Sequence, residues 1–202
     1  MKLFASGAVA LLLATTALSP AFAQAVSPDR VAAVHRAALV IDPHVDLPAP
    51  YDWTADGPPK GAPDQASLDR LKAGGFDAVG LSVFVSQSDR TPEKTAAART
   101  EARTKLAAIQ SLAANNRNAV EIARTAADVR RISGQGKTAV LIGLLNAYPL
   151  GRNAAALEDY ARQGVRLVGL THAGNNDFAD SSRPQPRDRP FEHGGLSPAG
   201  RE

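Results

Sequence analysis

His44 and Asp46 stand two positions apart at the end of an aliphatic run, "ALVIDPHVDLP", Ala38 to Pro48. An extended strand sends residues i and i+2 to the same face, so an imidazole and a carboxylate would project together where the strand gives out. Both groups ligate divalent metal cations, but a catalytic metal such as zinc ordinarily takes three protein ligands and keeps one open place. The plainer reading of the same stretch is a turn, since Asp42, Pro43 and Asp46 are residue types common at strand ends. His172 closes another apolar run, "VRLVGLTH", and Asn146 a third, "TAVLIGLLN". His35 lies in the polar helical segment "PDRVAAVHRAA" and His193 in a flexible loop, and neither has a comparable setting.

The elements that must position these residues alternate in kind. Ala38 to Asp46, Phe76 to Val85, Thr138 to Asn146 and Val165 to His172 are close to continuously apolar. That is how strands covered on both faces of a parallel sheet read. A short extra strand fits Val120 to Ala123. Between the strands lie helical segments: "QASLDRLKAGG", a helix capped by Thr91 with Pro92 in its first turn, one opened by Thr125 with Asp128 three residues on, and one opened by Asn153 and stopped at Gly164. Ser197 and Pro198 start another after a loop rich in Pro, Asp and Arg.

This β/α alternation predicts a parallel sheet with helical crossovers. Two folds meet that description, a doubly wound sheet and a (β/α)8 TIM-type barrel. No glycine-rich phosphate loop follows a strand, which disfavours the nucleotide-binding form of the first. Polar residues gather at strand C-termini, where barrel active sites form. About four βα units where a barrel takes eight lead to the expectation of an incomplete barrel.

The N-terminal stretch "MKLFASGAVALLLATTALSPAFAQA" carries Lys2, an apolar centre from Val9 to Leu13 and small residues at Ala21 and Ala23. It reads as a signal peptide over residues 1–23 cleaved before Gln24, leaving 24–202 as one domain. Its apolar run is well short of the roughly 20 residues that span a bilayer. The formal net charge of +3 falls by one with Lys2, and the basic residues are scattered, so a nucleic-acid partner is not expected. With no cysteine there is no disulfide framework and no thiolate chemistry. An aliphatic core must hold the chain, which is 44% hydrophobic and only 5% aromatic.

Five motifs, "IDPHVDLP", "GGFDAVGLSVFV", "IGLLNAYPLG", "GVRLVGLTHAGNNDFADS" and "HGGLSPAGRE", taken in order, resemble the membrane (renal-type) dipeptidases. These are zinc metallopeptidases of the amidohydrolase-like barrel group, and the likeness is closest to exported bacterial members. The resemblance implies a hydrolase that cleaves the single peptide bond of dipeptides with a metal-activated hydroxide, exported to the periplasm or cell envelope. It assigns His44 and Asp46 as ligands of one of two zinc ions, and His172 as a catalytic, substrate-contacting residue. Asn175, Asn176 and Asp180 fall in the loop that lines the cleft, and Tyr51 and Trp53 in a loop over it.

Two departures follow from the same comparison. Leu145 occupies the position of the glutamate that bridges the two metals in active members, and Asn146 beside it should face the other way. The later zinc histidines, the substrate arginine and the late aspartate would lie beyond residue 202, so the expectation is an N-terminal half with doubtful metal occupancy. The alternatives to an interrupted enzyme are a catalytically inactive remnant, a non-enzymatic peptide-binding protein, and a half-barrel completed by a second copy or a separately encoded half.

Overall fold

The computed structural model describes residues 26–46 and 67–202; the expected signal peptide and the aromatic pair Tyr51 and Trp53 lie outside the described residues. Five strands form one all-parallel sheet: β1 (Ile41–Asp46), β2 (Ala78–Val83), β3 (Val120–Ile122), β4 (Thr138–Leu144) and β5 (Val165–Val168). The order runs β1-β2-β4, and β3 and β5 share the far edge of β4. β3 pairs with its first residues, Val120 opposite Thr138 and Ile122 opposite Val140. β5 takes over along its second half, with Ile142 opposite Val165 and Leu144 opposite Val168.

The helices are α1 (Pro28–Ala37), α2 (Leu68–Ala73), α3 (Pro92–Asn115), α4 (Ala126–Ser133), α5 (Ala156–Arg162) and α6 (Pro198–Arg201). Their starts follow the punctuation in the sequence. The hydroxyl of Thr91 accepts from the Lys94 N–H at 3.3 Å. Thr125 and Asp128 form a reciprocal capping box, each side chain satisfying a backbone N–H near the other residue. α5 is the exception: it begins after Ala155 with no side-chain cap, and not at Asn153 as the sequence suggests. The 3-10 turn Tyr148–Leu150 runs on into backbone bonds from Asn153 to Leu150 and from Ala156 to Asn153, which supply the turn that a cap would otherwise nucleate.

One face of the sheet makes the main core. Val79, Leu81 and Val83 of β2 and Val140, Ile142 and Leu144 of β4 meet Ala98, Ala102, Leu106, Ile109 and Leu112, the buried stripe of α3. The stripe recurs every three or four residues, as a helix packed along one face requires, and each fully buried Leu or Ile contributes about 1.5–3 kcal/mol. The other face is layered along the strands. Val129 and Ile132 of α4 cover Ala78, Ala139 and Leu141 near the strand starts, and glycines and polar groups lie beyond them. Both outer strands carry exposed aliphatics: Leu39 and Ile41 at β1, Leu167, Val168 and Leu170 at β5. The result is an α/β fold whose βα units fit an incomplete barrel. No helix among the described residues is long and apolar enough to cross a membrane.

Candidate metal half-site at the strand ends

β1 does not run straight. Between Asp42, opposite Val79, and Val45, opposite Leu81, two residues face the single Gly80 of β2. This bulge falls at Pro43, which cannot donate to the ladder and so belongs on an edge strand or at a bulge. The carbonyl of Pro43 comes over Gly80 so closely that any Cβ there would collide with it. The Asp42 carboxylate accepts from the His44 N–H at 3.0 Å and holds the bend. The consequence is a change of face. Val45 turns with Leu81 into the helix-covered core, while His44 and Asp46 turn to the inner face with Ser82.

His44 Nε2 lies 3.5 Å from Asp46 Oδ1, and the two side chains are 44% and 60% exposed. The other ring nitrogen, Nδ1, is 2.7 Å from Ser82 Oγ. Ser82 is opposite Asp46 in the β1–β2 ladder and only 5% exposed. His44 and Ser82 line a cavity of about 200 Å³ whose remaining wall is largely apolar, including Leu145, Leu167 and Val168. Leu145 immediately follows β4, and Gly169 packs against its carbonyl, where a Cβ would sit 2.5 Å from the oxygen.

Asn146 faces the opposite side of the strand. It is fully buried. Its amide donates to the Val85 carbonyl at 3.0 Å, and its Oδ1 accepts from the Tyr148 N–H at 3.2 Å and from Asn176 Nδ2 at 3.1 Å. Asn176 is equally enclosed: its Nδ2 also donates to the Leu170 carbonyl at 2.6 Å, and its Oδ1 accepts from the N–H groups of Phe178 and Ala179. The pair ties together the chain leaving β2, β4 and β5.

His172 lies in the segment beyond β5, not on the strand itself, which ends at Val168. Its ring stands 4.7 Å from the ring of Phe84, the residue directly after β2. It is therefore at the same C-terminal rim of the sheet as His44, yet outside the cavity that His44 lines. Asn175 and Asp180 border a second cavity of about 440 Å³, with Ser181, Pro190 and Phe191 in its wall. The loop around it is braced. The Asp180 carboxylate accepts from the N–H groups of His193 and Gly195. Partial desolvation pushes its pKa up, but those backbone donors and the His193 side chain outweigh it and hold the pKa below the usual value. His193 is not loose either: its Nε2 contacts the Asn176 carbonyl at 2.9 Å.

The model of the membrane dipeptidase family, peptidase family M19, matches residues 28–202. The chain belongs to this family. Dipeptidase tcpJ of Claviceps purpurea is 33% identical over 159 residues, covering 75% of this chain and 36% of tcpJ. Among solved structures, the probable dipeptidase PvdM of Pseudomonas aeruginosa superposes with a TM-score of 0.74 at 34% identity, covering 85% of this chain and 44% of PvdM. A metallopeptidase from Rhodobacter sphaeroides, at 20% identity and a TM-score of 0.56, shares the fold. The chain thus spans less than half the length of these relatives.

The M19 family is metal-dependent, which makes the donor set of this member a direct test. Two ligands about 2.1 Å from a shared zinc ion at a tetrahedral angle stand roughly 3.4 Å apart. The observed 3.5 Å between Nε2 and Oδ1 fits that spacing, and Leu145 offers no third donor. Among the described residues no group of three or more His, Cys, Asp or Glu side chains could hold a metal. His44 and Asp46 are two candidate donors, and the described residues bring no third His, Cys, Asp or Glu beside them. The i, i+2 spacing in the sequence anticipates the approach of His44 to Asp46; it does not reveal the contact with Ser82, one residue before the end of β2, nor the bulge, which Pro43 announces.

Proposed function

We propose that this chain is the metal-holding N-terminal portion of a zinc-dependent dipeptidase that hydrolyses the peptide bond of dipeptides. His44 and Asp46 would hold one zinc ion, which when bound supplies an activated hydroxide and polarises the scissile carbonyl. The observation that carries the reading is the 3.5 Å approach of His44 Nε2 to Asp46 Oδ1 at the strand rim of an M19 chain. His172, held against Phe84 beyond that rim, is the candidate to donate a hydrogen bond to the substrate carbonyl. Asn175 and Asp180 border the neighbouring cavity and would shape the approach of the peptide; Asn176 would act only through them. A third metal ligand must come from outside the described residues. Export to the periplasm of a bacterium, by the N-terminal signal peptide, belongs to the same reading.

Leu145 favours a second reading. An aliphatic side chain in the cavity of His44 supplies neither a ligand nor a charge to offset a dication, and that cavity suits a non-catalytic peptide-binding protein or an inactive remnant.

Zinc binding and dipeptide hydrolysis, measured together on the full chain and on His44→Ala, separate these. Zinc-stimulated release of free amino acids that His44→Ala abolishes supports the peptidase. Zinc binding without turnover supports the second reading. No difference in zinc content between the two proteins would remove the metal role altogether.

A further inference from the structure

Among the described residues, Ser82 is the one buried hydroxyl in direct contact with a proposed metal donor, and the sequence motif alone gives it no part. Its Oγ lies 2.7 Å from His44 Nδ1, within the range of a good hydrogen bond. A hydroxyl can give or take such a bond, so the two tautomers of His44 make different demands on the opposite side of the ring. With the proton on Nε2, that N–H would face Asp46 Oδ1 at 3.5 Å, too long for a normal N–H···O bond, and would turn to water, which the 44% exposed side chain admits. With the proton on Nδ1, Ser82 accepts it, and Nε2 presents a bare lone pair toward the carboxylate at the spacing a shared cation needs. Metal-bound histidines in general give their second ring N–H to an acceptor that fixes tautomer and orientation.

We propose that Ser82 is a positioning residue for His44: its hydroxyl accepts the Nδ1–H bond and so holds the imidazole with Nε2 unprotonated and aimed beside Asp46. The inference rests on the reading of His44 and Asp46 as metal donors and adds the group that prepares one of them before the metal arrives. The β1 bulge makes the arrangement possible. Without it, Asp46 would not be opposite Ser82, and His44 would not lean back across the strand onto the hydroxyl. Ser82 is only 5% exposed, so water competes poorly for the bond.

The test uses the metal-free full chain with 15N-labelled imidazoles, at about pH 8.5, some two units above the ordinary histidine pKa, with His44→Gln assigning the signal. Long-range 1H–15N correlation should place the His44 proton on Nδ1. Ser82→Thr keeps the hydroxyl and should keep the tautomer. Ser82→Ala should move population to the Nε2–H form and weaken cobalt(II) binding, titrated optically, by roughly 10–100-fold, the usual loss when such a partner is removed. A folded Ser82→Ala with unchanged tautomer, or a wild-type His44 protonated on Nε2, would overturn the proposal. The tautomer comparison decides the role of Ser82 by itself, whereas absence of cobalt binding in the wild type would count against the metal reading, so the two failures are distinguishable.

Discussion

Asn146 and Asn176, thirty residues apart, hydrogen-bond through their side chains at 3.1 Å in the buried interior. Together they satisfy backbone groups at Val85, Tyr148, Leu170, Phe178 and Ala179. Asn176 was expected to line the substrate cleft; its polar atoms are instead engaged inside the chain.

This makes Asn176→Ala a stability variant. It orphans the Phe178 and Ala179 N–H groups in a buried setting, where each unsatisfied group costs about 1–3 kcal/mol. Denaturant unfolding should show a loss of about 2–6 kcal/mol, the same cost taken for the two groups. A folded variant within about 0.5 kcal/mol of wild type, the scatter of neutral surface changes, would show that the network does not hold the rim.

Leu145 and Asn146 face opposite sides of β4, so only the first can be turned into a metal ligand by one substitution. Leu145→Glu should raise zinc affinity by roughly tenfold or more, at least ~1.4 kcal/mol, because it adds a carboxylate to the cavity that His44 lines. Without zinc the same variant should melt lower, since it brings a third polar group beside apolar walls and repels Asp46. Isothermal titration with zinc, paired with thermal melting in a chelator, measures both effects. Unchanged affinity would mean that Leu145 does not share a site with the two donors.

The α4 capping box gives a pH-dependent contribution that is independent of the site. Hydrogen bonds from Thr125, then from Arg131 and the Arg124 N–H, hold Asp128 down to about 2. The folded pKa is lower than that of the unfolded chain, so the stabilisation is present above about pH 4, the ordinary aspartate range, and is lost as the pH falls through the folded value. The melting-temperature gap between wild type and Asp128→Asn should therefore be open at pH 6 and close toward pH 2, two points bracketing these pKa values. A gap that stays constant over that span would argue against the box.

Much of this was legible in sequence because the relevant signals are local. Near-continuous apolar runs marked four of the strands, the three-residue β3 fell within the short extra run, and Thr91, Thr125 and Ser197 marked helix starts. Spacing alone also brought His44 and Asp46 together. The rest depended on contacts distant in sequence. Ser82 meets His44 across 38 residues and Asn176 meets Asn146 across 30, and no periodicity encodes either pairing. The lost cap at Asn153 is an override of local preference, since the preceding 3-10 turn already supplies the backbone bonds. Strand β5 stops four residues short of His172; Gly169 packs under Leu145, and backbone bonds from Gly169 to Leu144 and from Ala147 to Leu170 continue the contact with the end of β4.

His44 Nε2 and Asp46 Oδ1 are proposed to share one cation. A zinc-soaked crystal of the full chain, with anomalous data collected at the zinc edge, tests it directly. The expected result is a peak within about 2.0–2.2 Å of both atoms, with Ser82 still on Nδ1 and Leu145 at the cavity wall. A peak elsewhere, or clear density for both side chains with no zinc between them, would contradict it.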